Sequence, residues 1–122
     1  MKDAATFSWQ QFAVNLSGDS CAQLIERGFV PGRQRRAGVA VSIVDMNSDA
    51  PHDGEMHPDG DEVIYVLEGQ FSLRLGVDDP VYLDVATGQG VVIPKGVWHK
   101  IHILAPCRLV TVTPGPGFEY KT

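Results

Sequence analysis

An all-β fold, a sandwich or barrel of short strands, is predicted by three observations. At least seven runs of β-favouring residues follow one another from residue 38 onward. Glycine, proline and aspartate clusters separate them at short intervals, as turns require. No long helical pattern lies between the runs, which argues against a parallel α/β sheet.

The first 37 residues form an N-terminal segment that reads as irregular or partly helical. Ser8 and Gln11 have capping-box spacing, with Phe7, Trp9 and Phe12 as apolar contacts. Alternatively, Phe12 to Leu16 alternates as a strand does. Asp19 or Ser20 can cap a short helix through Ala22–Glu26 that Gly28 would stop. Pro31-Gly32 signals a turn.

The strands then come in order. Val39 to Val44 is β-rich, and Glu62 to Leu67 is a second run that ends at Glu68-Gly69. Gln70 to Leu75 alternates, with Phe71, Leu73 and Leu75 on one face and Ser72 and Arg74 on the other. The first three are core candidates. Gly76 and Asp78-Asp79-Pro80 break this run before Val81–Val85. Val91–Ile93 precedes Pro94-Lys95-Gly96, Trp98–Leu104 follows, and Cys107–Thr113 ends at Pro114-Gly115-Pro116-Gly117. Residues 118–122 form a tail, loose or docked.

With 122 residues, 43% hydrophobic and 20% charged, the chain is one domain able to bury a core. A net charge of −5 and a single basic cluster, Arg33-Gln34-Arg35-Arg36, speak against a nucleic-acid partner. That cluster reads as a solvated loop. No apolar run approaches the ~20 residues that span a bilayer. No basic and then apolar leader opens the chain, so a cytoplasmic location is expected. Cys21 and Cys107 are far apart, form no CxxC pattern, and read as buried or half-buried thiols without a disulfide.

The chemistry lies in two segments. Residues two apart in a strand share a face, so Glu55 and His57 can point inward together. Pro58-Asp59-Gly60-Asp61 forms a turn that can fold Glu62 back beside His57. His99 follows the turn at Pro94-Lys95-Gly96, and neighbouring hairpins would bring all four side chains together. Two imidazoles and a carboxylate with open positions suit Fe(II), with Mn, Zn, Ni and Cu also admissible. Glu55 is the candidate fourth donor, and His52 is its rival. His102 is an odd number of residues from His99 and faces the other way. If His99 points in, then Val97, Ile101 and Ile103 form an apolar wall beside it. Tyr65 and Trp98 read as packing residues. Arg74 lies on the polar face of its strand. No Ser-His-Asp or Cys-His set stands out, and no GxGxxG or P-loop opens a helix.

These two segments resemble the paired motifs of the cupin superfamily. The first reads His57, four residues, Glu62, six residues, Gly69, within HPDGDEVIYVLEG. The second reads Gly88, five residues, Pro94-Lys95-Gly96, two residues, His99. The resemblance spans roughly residues 38–114. It departs in three places: Glu55 stands where the first histidine of HxH is expected, Asp49 where a glycine is, and Ile103 where the closing asparagine is.

The resemblance implies a double-stranded β-helix, or jelly-roll barrel, over residues 38–117. It assigns His57, Glu62 and His99 to three ligand positions for one divalent metal ion, with Glu55 as the fourth. It further implies a small-molecule ligand or substrate, and a homodimer in which residues 1–37 serve as the dimerisation arm. Metal-dependent dioxygenase or isomerase chemistry and non-catalytic binding of a small molecule are both compatible with such a barrel.

Overall fold

A computed structural model describes residues 3–28 and 36–122. The Pro31-Gly32 turn and Arg33 to Arg35 of the basic cluster lie outside the described residues. The fold is all-β, with nine strands among the described residues: β1 (Phe12–Leu16), β2 (Ala22–Glu26), β3 (Gly38–Met46), β4 (Gly54–Met56), β5 (Glu62–Leu75), β6 (Val81–Ala86), β7 (Gly90–Ile93), β8 (His99–Gly115) and β9 (Glu119–Lys121). Every pairing is antiparallel. No helix among the described residues is long and apolar enough to cross a membrane.

Two long strands organise the barrel. β8 pairs with β3, β4 and β5, and β5 also pairs with β6 and β7. The runs before and after Gly69 are one strand, not two, as are the runs on either side of Ala105-Pro106. Gly69 bends β5 without ending it. Its φ is +93°, and a Cβ there would stand 2.2 Å from the Pro106 carbonyl oxygen, so only glycine fits. The register of β5 on β8 shifts across the same stretch, which marks a β-bulge.

Alternation then sorts the side chains. Ile64, Val66, Phe71 and Leu73 of β5 meet Leu109 and Cys107 of β8, Val85 of β6 and Ile93 of β7 in the buried core. Phe71 lies opposite Ile103 and Leu73 opposite Ile101, so both isoleucines line the inner face as expected. Leu75 packs at the edge of this cluster, opposite His99. Arg74 faces the other way, between Tyr82 and Lys100, and donates to the Asp53 carbonyl oxygen at 2.7 Å.

The N-terminal segment corrects one expectation. Ala22–Glu26 is a strand and not a capped helix: it forms a hairpin with β1, Leu24 opposite Val14 and Ile25 opposite Ala13. Five residues make barely more than one helical turn, too few to offset the cost of nucleation. Ser20 instead adopts a left-handed φ of 64° and closes the turn, with the Ser17 N–H donating to the Cys21 carbonyl at 3.0 Å. Ser8 closes a turn as well, accepting from the Gln11 and Phe12 amides. Cys21 is exposed on that hairpin, contrary to the expected burial, because the turn holds it at the surface; Cys107 is buried, and both thiols are free. The tail is docked, since β9 pairs with β4.

Candidate metal centre

Four side chains converge where β4, β5 and β8 meet. β4 is three residues long and places Glu55 directly opposite His99 of β8 on one side and Tyr120 of β9 on the other. Glu62 opens β5 opposite Ile93 of β7, on the inner face. His57 sits in the loop between β4 and β5. That loop is tied to the Pro94-Lys95-Gly96 turn twice. The Gly96 amide donates to the His57 carbonyl at 3.0 Å, and the Lys95 amide donates to the Asp61 carboxylate at 2.7 Å. Gly96 takes a φ of +77°, which the turn requires and a side chain would resist. Both motifs are thus joined by one backbone–backbone bond and one backbone–carboxylate bond before the four donors meet.

His57, Glu62 and His99 are 4%, 4% and 2% exposed, whereas Glu55 is half-buried. His99 Nε2 lies 3.3 Å from Glu55 Oε1 and 3.3 Å from Glu62 Oε1. His57 Nε2 lies 3.4 Å from Glu62 Oε2 and 3.7 Å from Glu55 Oε1. Charge-assisted hydrogen bonds would close to about 2.7–2.9 Å. These contacts do not, and His57 Nδ1, His57 Nε2, His99 Nε2 and Glu62 Oε1 are buried without a hydrogen-bond partner.

Buried polar atoms left unpaired are costly. Donors at about 2.1 Å from an ion lie about 3.0 Å apart in an octahedron and about 3.4 Å apart in a tetrahedron. One ligand atom from each of the four residues falls within 4.8 Å of all the others. The cluster could therefore hold one divalent metal ion, and its two imidazoles and two carboxylates are donors that several first-row metals accept.

Other contacts set the orientation of the donors. His99 Nδ1 lies 3.1 Å from the Val97 carbonyl oxygen, which turns Nε2 toward the cluster. The Thr113 hydroxyl donates to Glu62 Oε2 at 2.7 Å. The Phe118 ring packs 5.2 Å from that of His57 and 3.9 Å from that of Tyr120. Electrostatics follow from burial and proximity. Burial disfavours charge on all four groups, but the mutual attraction outweighs it. The Glu55 carboxyl is held down at about 2 and Glu62 is also lowered, while His57 and His99 are each raised to about 9.

His52 stays outside the four-donor group. Its Nδ1 accepts from the Gly54 amide at 3.2 Å, its Nε2 is 3.8 Å from the outer oxygen of Glu55, and its ring rests on Tyr120. His102 points away and pairs with Asp49 at 2.8 Å. Tyr65 is exposed, and Trp98 stacks under Lys121. Neither joins the cluster. Thr113 and Phe118 belong to no motif in the sequence. Thr113 carries a weak signal, its place in the alternation of a strand. Phe118 lies in a tail with no local pattern.

The model of the family described as "Cupin domain" matches residues 43–113, more than half of the chain. The chain belongs to the cupin domain family. Comparison with curated proteins finds no match. Among solved structures, a recombinant oxalate oxidase in complex with glycolate is similar at 20% identity and a TM-score of 0.56, over 67% of this chain and 45% of that one. The hydroxypropylphosphonic acid epoxidase of S. wedmorenis is similar at 24% identity and a TM-score of 0.52, over 62% of this chain and 42% of that one. These likenesses concern the fold, and this chain spans less than half the length of either protein.

Proposed function

We propose that this protein is a metal-dependent cupin in which Glu55, His57, Glu62 and His99 hold one divalent ion beside a small organic molecule, with dioxygenase-like or isomerase chemistry. The observation that supports it is the convergence of four donor atoms within 4.8 Å, most of them buried and unpaired. A bound ion would supply Lewis-acid or redox chemistry. The residues around it do the rest: Val97 and Thr113 fix the approach of His99 and Glu62, and Phe118 covers the His57 ring.

Elemental analysis tests this reading. The protein is expected to carry close to one equivalent of a divalent metal after loading, and His57→Ala and Glu55→Ala variants are expected to carry much less. Full occupancy in His57→Ala would overturn the ligand set.

A second reading, a non-catalytic binding barrel, is favoured by one feature: Glu55 stands where the family pattern places a histidine. Affinity for a small ligand that is unchanged by chelator would select it.

A homodimer is part of the same proposal, and the outer face of the sheet supports it. Val92, Val63, Val112, Val41, Val14 and Leu24 are register neighbours across six strands, an aliphatic stripe without a charge. Val92 is 59% exposed at one end and Leu24 42% at the other. Such a stripe suits a second copy of itself, because no like charges would oppose one another. A one-chain mass by light scattering would overturn it. Two free thiols support a reducing compartment such as the cytoplasm, and recovery in an exported fraction would refute that.

A further inference from the structure

A cavity of about 560 Å³ lies between the β1–β2 hairpin and the inner faces of β3 and β8. Its size is within the roughly 300–1,000 Å³ that small-molecule pockets occupy. Among the described residues its wall holds two arginines, Arg27 and Arg36, and one carboxylate, Glu26. The rest of that wall is neutral, with the hydroxyls of Ser42, Thr111 and Thr113 set among side chains such as Ile25 and Val44. From this wall we infer that the chamber binds a hydroxy- or oxo-carboxylate with an apolar body, its carboxylate on Arg27 and its neutral oxygen on Ser42 and Thr111. None of the four metal-site donors lines this chamber, so the inference stands apart from the metal reading.

Arg27 is prepared for an anion. It is half-buried, whereas Glu26 is exposed and its charge is screened by solvent. Arg27 Nη1 donates to the Trp9 and Ile43 carbonyls at 2.8 and 2.6 Å, which ties the hairpin to β3 and spends both Nη1 hydrogens. These neutral oxygens leave the charge in place. The Nε–Nη2 edge has no partner among the described residues, and it is an edge that takes a carboxylate through two parallel bonds. Asp45 is near enough to feel the charge of Arg27, but Arg108 holds it at 2.8 and 3.2 Å. The ion-paired arginines among the described residues are Arg74 and Arg108, not Arg27 or Arg36. Arg36, exposed at the chamber wall, donates to Gln23 at 2.6 Å and adds a second positive charge. A guanidinium already fixed in place loses little freedom when it binds.

The neutral groups stand next to this charge. Ser42 precedes Ile43, whose carbonyl holds Arg27, and it lies opposite Thr111 in the register of β3 on β8. The hydroxyls of Ser42 and Thr111 have no hydrogen-bond partner among the described residues. A hydroxyl donates and accepts, so the pair suits either a ligand hydroxyl or an oxo group. Thr111 also lines the smaller cavity that contains Glu55, Glu62 and His99, which sets the chamber beside the candidate metal centre.

Three compounds test this: 3-phenyllactate, 3-phenyllactamide, which lacks the charge, and 3-phenylpropanoate, which lacks the hydroxyl. Each is titrated by calorimetry into the full chain, as purified and after chelator treatment. In the treated protein no carboxylate can sit on an ion. Phenyllactate is expected to bind about tenfold or more tightly than the amide, as a hydrogen-bonded charge pair would give, in both preparations. It is expected to bind several-fold more tightly than phenylpropanoate. Arg27→Gln is expected to abolish the preference for the acid over the amide. Because Arg27 also ties the hairpin to β3, Ser42→Ala and Thr111→Val accompany it. These are expected to weaken phenyllactate several-fold and to leave phenylpropanoate unchanged.

An amide that binds as tightly as the acid would overturn the inference, as would a preference for the acid that survives in folded Arg27→Gln. A preference seen only with metal present would assign the carboxylate to the ion and not to Arg27. Phenyllactate affinity unchanged in both hydroxyl variants, or no binding at about 10 mM, would also overturn it. Metal content measured on the same samples decides the metal reading separately.

Discussion

The inner faces of β5 and β8 carry two regions that are equally buried and physically opposite. Between the strand ends, on either side of the Gly69 bend, stand Phe71, Leu73 and Leu109, each 0% exposed, and at the first residue of each strand stand Glu62 and His99, at 4% and 2%. The apolar region is complete as built: its atoms need only contact, and they have it. The polar region leaves four buried atoms unpaired. The same alternation, the same strands and the same pairing therefore yield an apolar core in one place and a candidate metal centre in the other. Burial alone does not distinguish these two regions; unsatisfied polarity does. If the two regions are independent, damage to the first should cost stability irrespective of metal, and damage to the second should cost metal at little expense to the fold.

The largest effect is expected at Phe71. Phe71→Ala removes a ring with no exposed surface and leaves a cavity, which costs about 3–5 kcal/mol. Urea denaturation should give this loss with metal and without it, and the variant that remains folded should bind metal with unchanged affinity. A loss that differs by more than about 1 kcal/mol between the two states would mean that the regions are coupled.

The next effect sharpens the contrast through pH. In the metal-free protein, burial opposes charge on His57 and His99, yet Glu55 and Glu62 raise both to about 9 from an ordinary 6.5. A raised folded pKa gives stability that is complete below pH 6.5 and is lost as pH rises through 9. Glu55, held at about 2 from an ordinary 4.5, gives stability present above pH 4.5 and lost as pH falls through 2. These are the same ion pairs seen from either partner, so the metal-free protein is most stable between the two windows.

A metal must displace the imidazole protons. Its affinity should rise from pH 6.5 to 9 by about tenfold per pH unit for each proton released. Titrations that are flat across this range would show that the imidazoles are neutral in the metal-free protein. The apolar region has no such dependence, and Phe71→Ala should lower stability equally at pH 6 and pH 9.

Much of this division is legible in the residues, because alternation names inward positions and turn chemistry names where strands reverse. Phe71, Leu73 and Leu75, and the pairing of Ile101 and Ile103 with His99, follow from period two alone. Glu62 and His57 follow from a turn of known type. The β1–β2 hairpin does not. Ala22–Glu26 carries a plausible cap and stop, and only its pairing with Phe12–Leu16, invisible in a local window, decides for strand. Gly69 misleads for a related reason: a glycine after a β-run signals an end, whereas here it permits a bend against Pro106. Thr113 and Phe118 depend on register and on a docked tail, which are tertiary facts.

Thr113 offers the smallest expected effect and the finest test of the comparison. It lies on β8 at the polar end of the inner face, 51 residues from Glu62 in sequence, and its hydroxyl donates to Glu62 Oε2 at 2.7 Å. Thr113→Val keeps the shape and the branched β-carbon, so strand propensity and packing are nearly preserved. What it removes is one hydrogen bond to a carboxylate that its strand and the facing His57 and His99 rings also place. Partners of this kind typically cost metal affinity 10–100-fold when lost; the lower end, about tenfold, is expected here because β5 itself still aims Glu62. Folding stability without metal should change by less than about 1 kcal/mol. The two readouts, metal affinity by competition with a chromophoric chelator and stability by urea denaturation, must then move apart. A loss of stability with metal affinity intact would place Thr113 with Phe71 in the scaffold. The reverse would show that the boundary between the two regions runs within β8 itself, between Leu109 and Thr113.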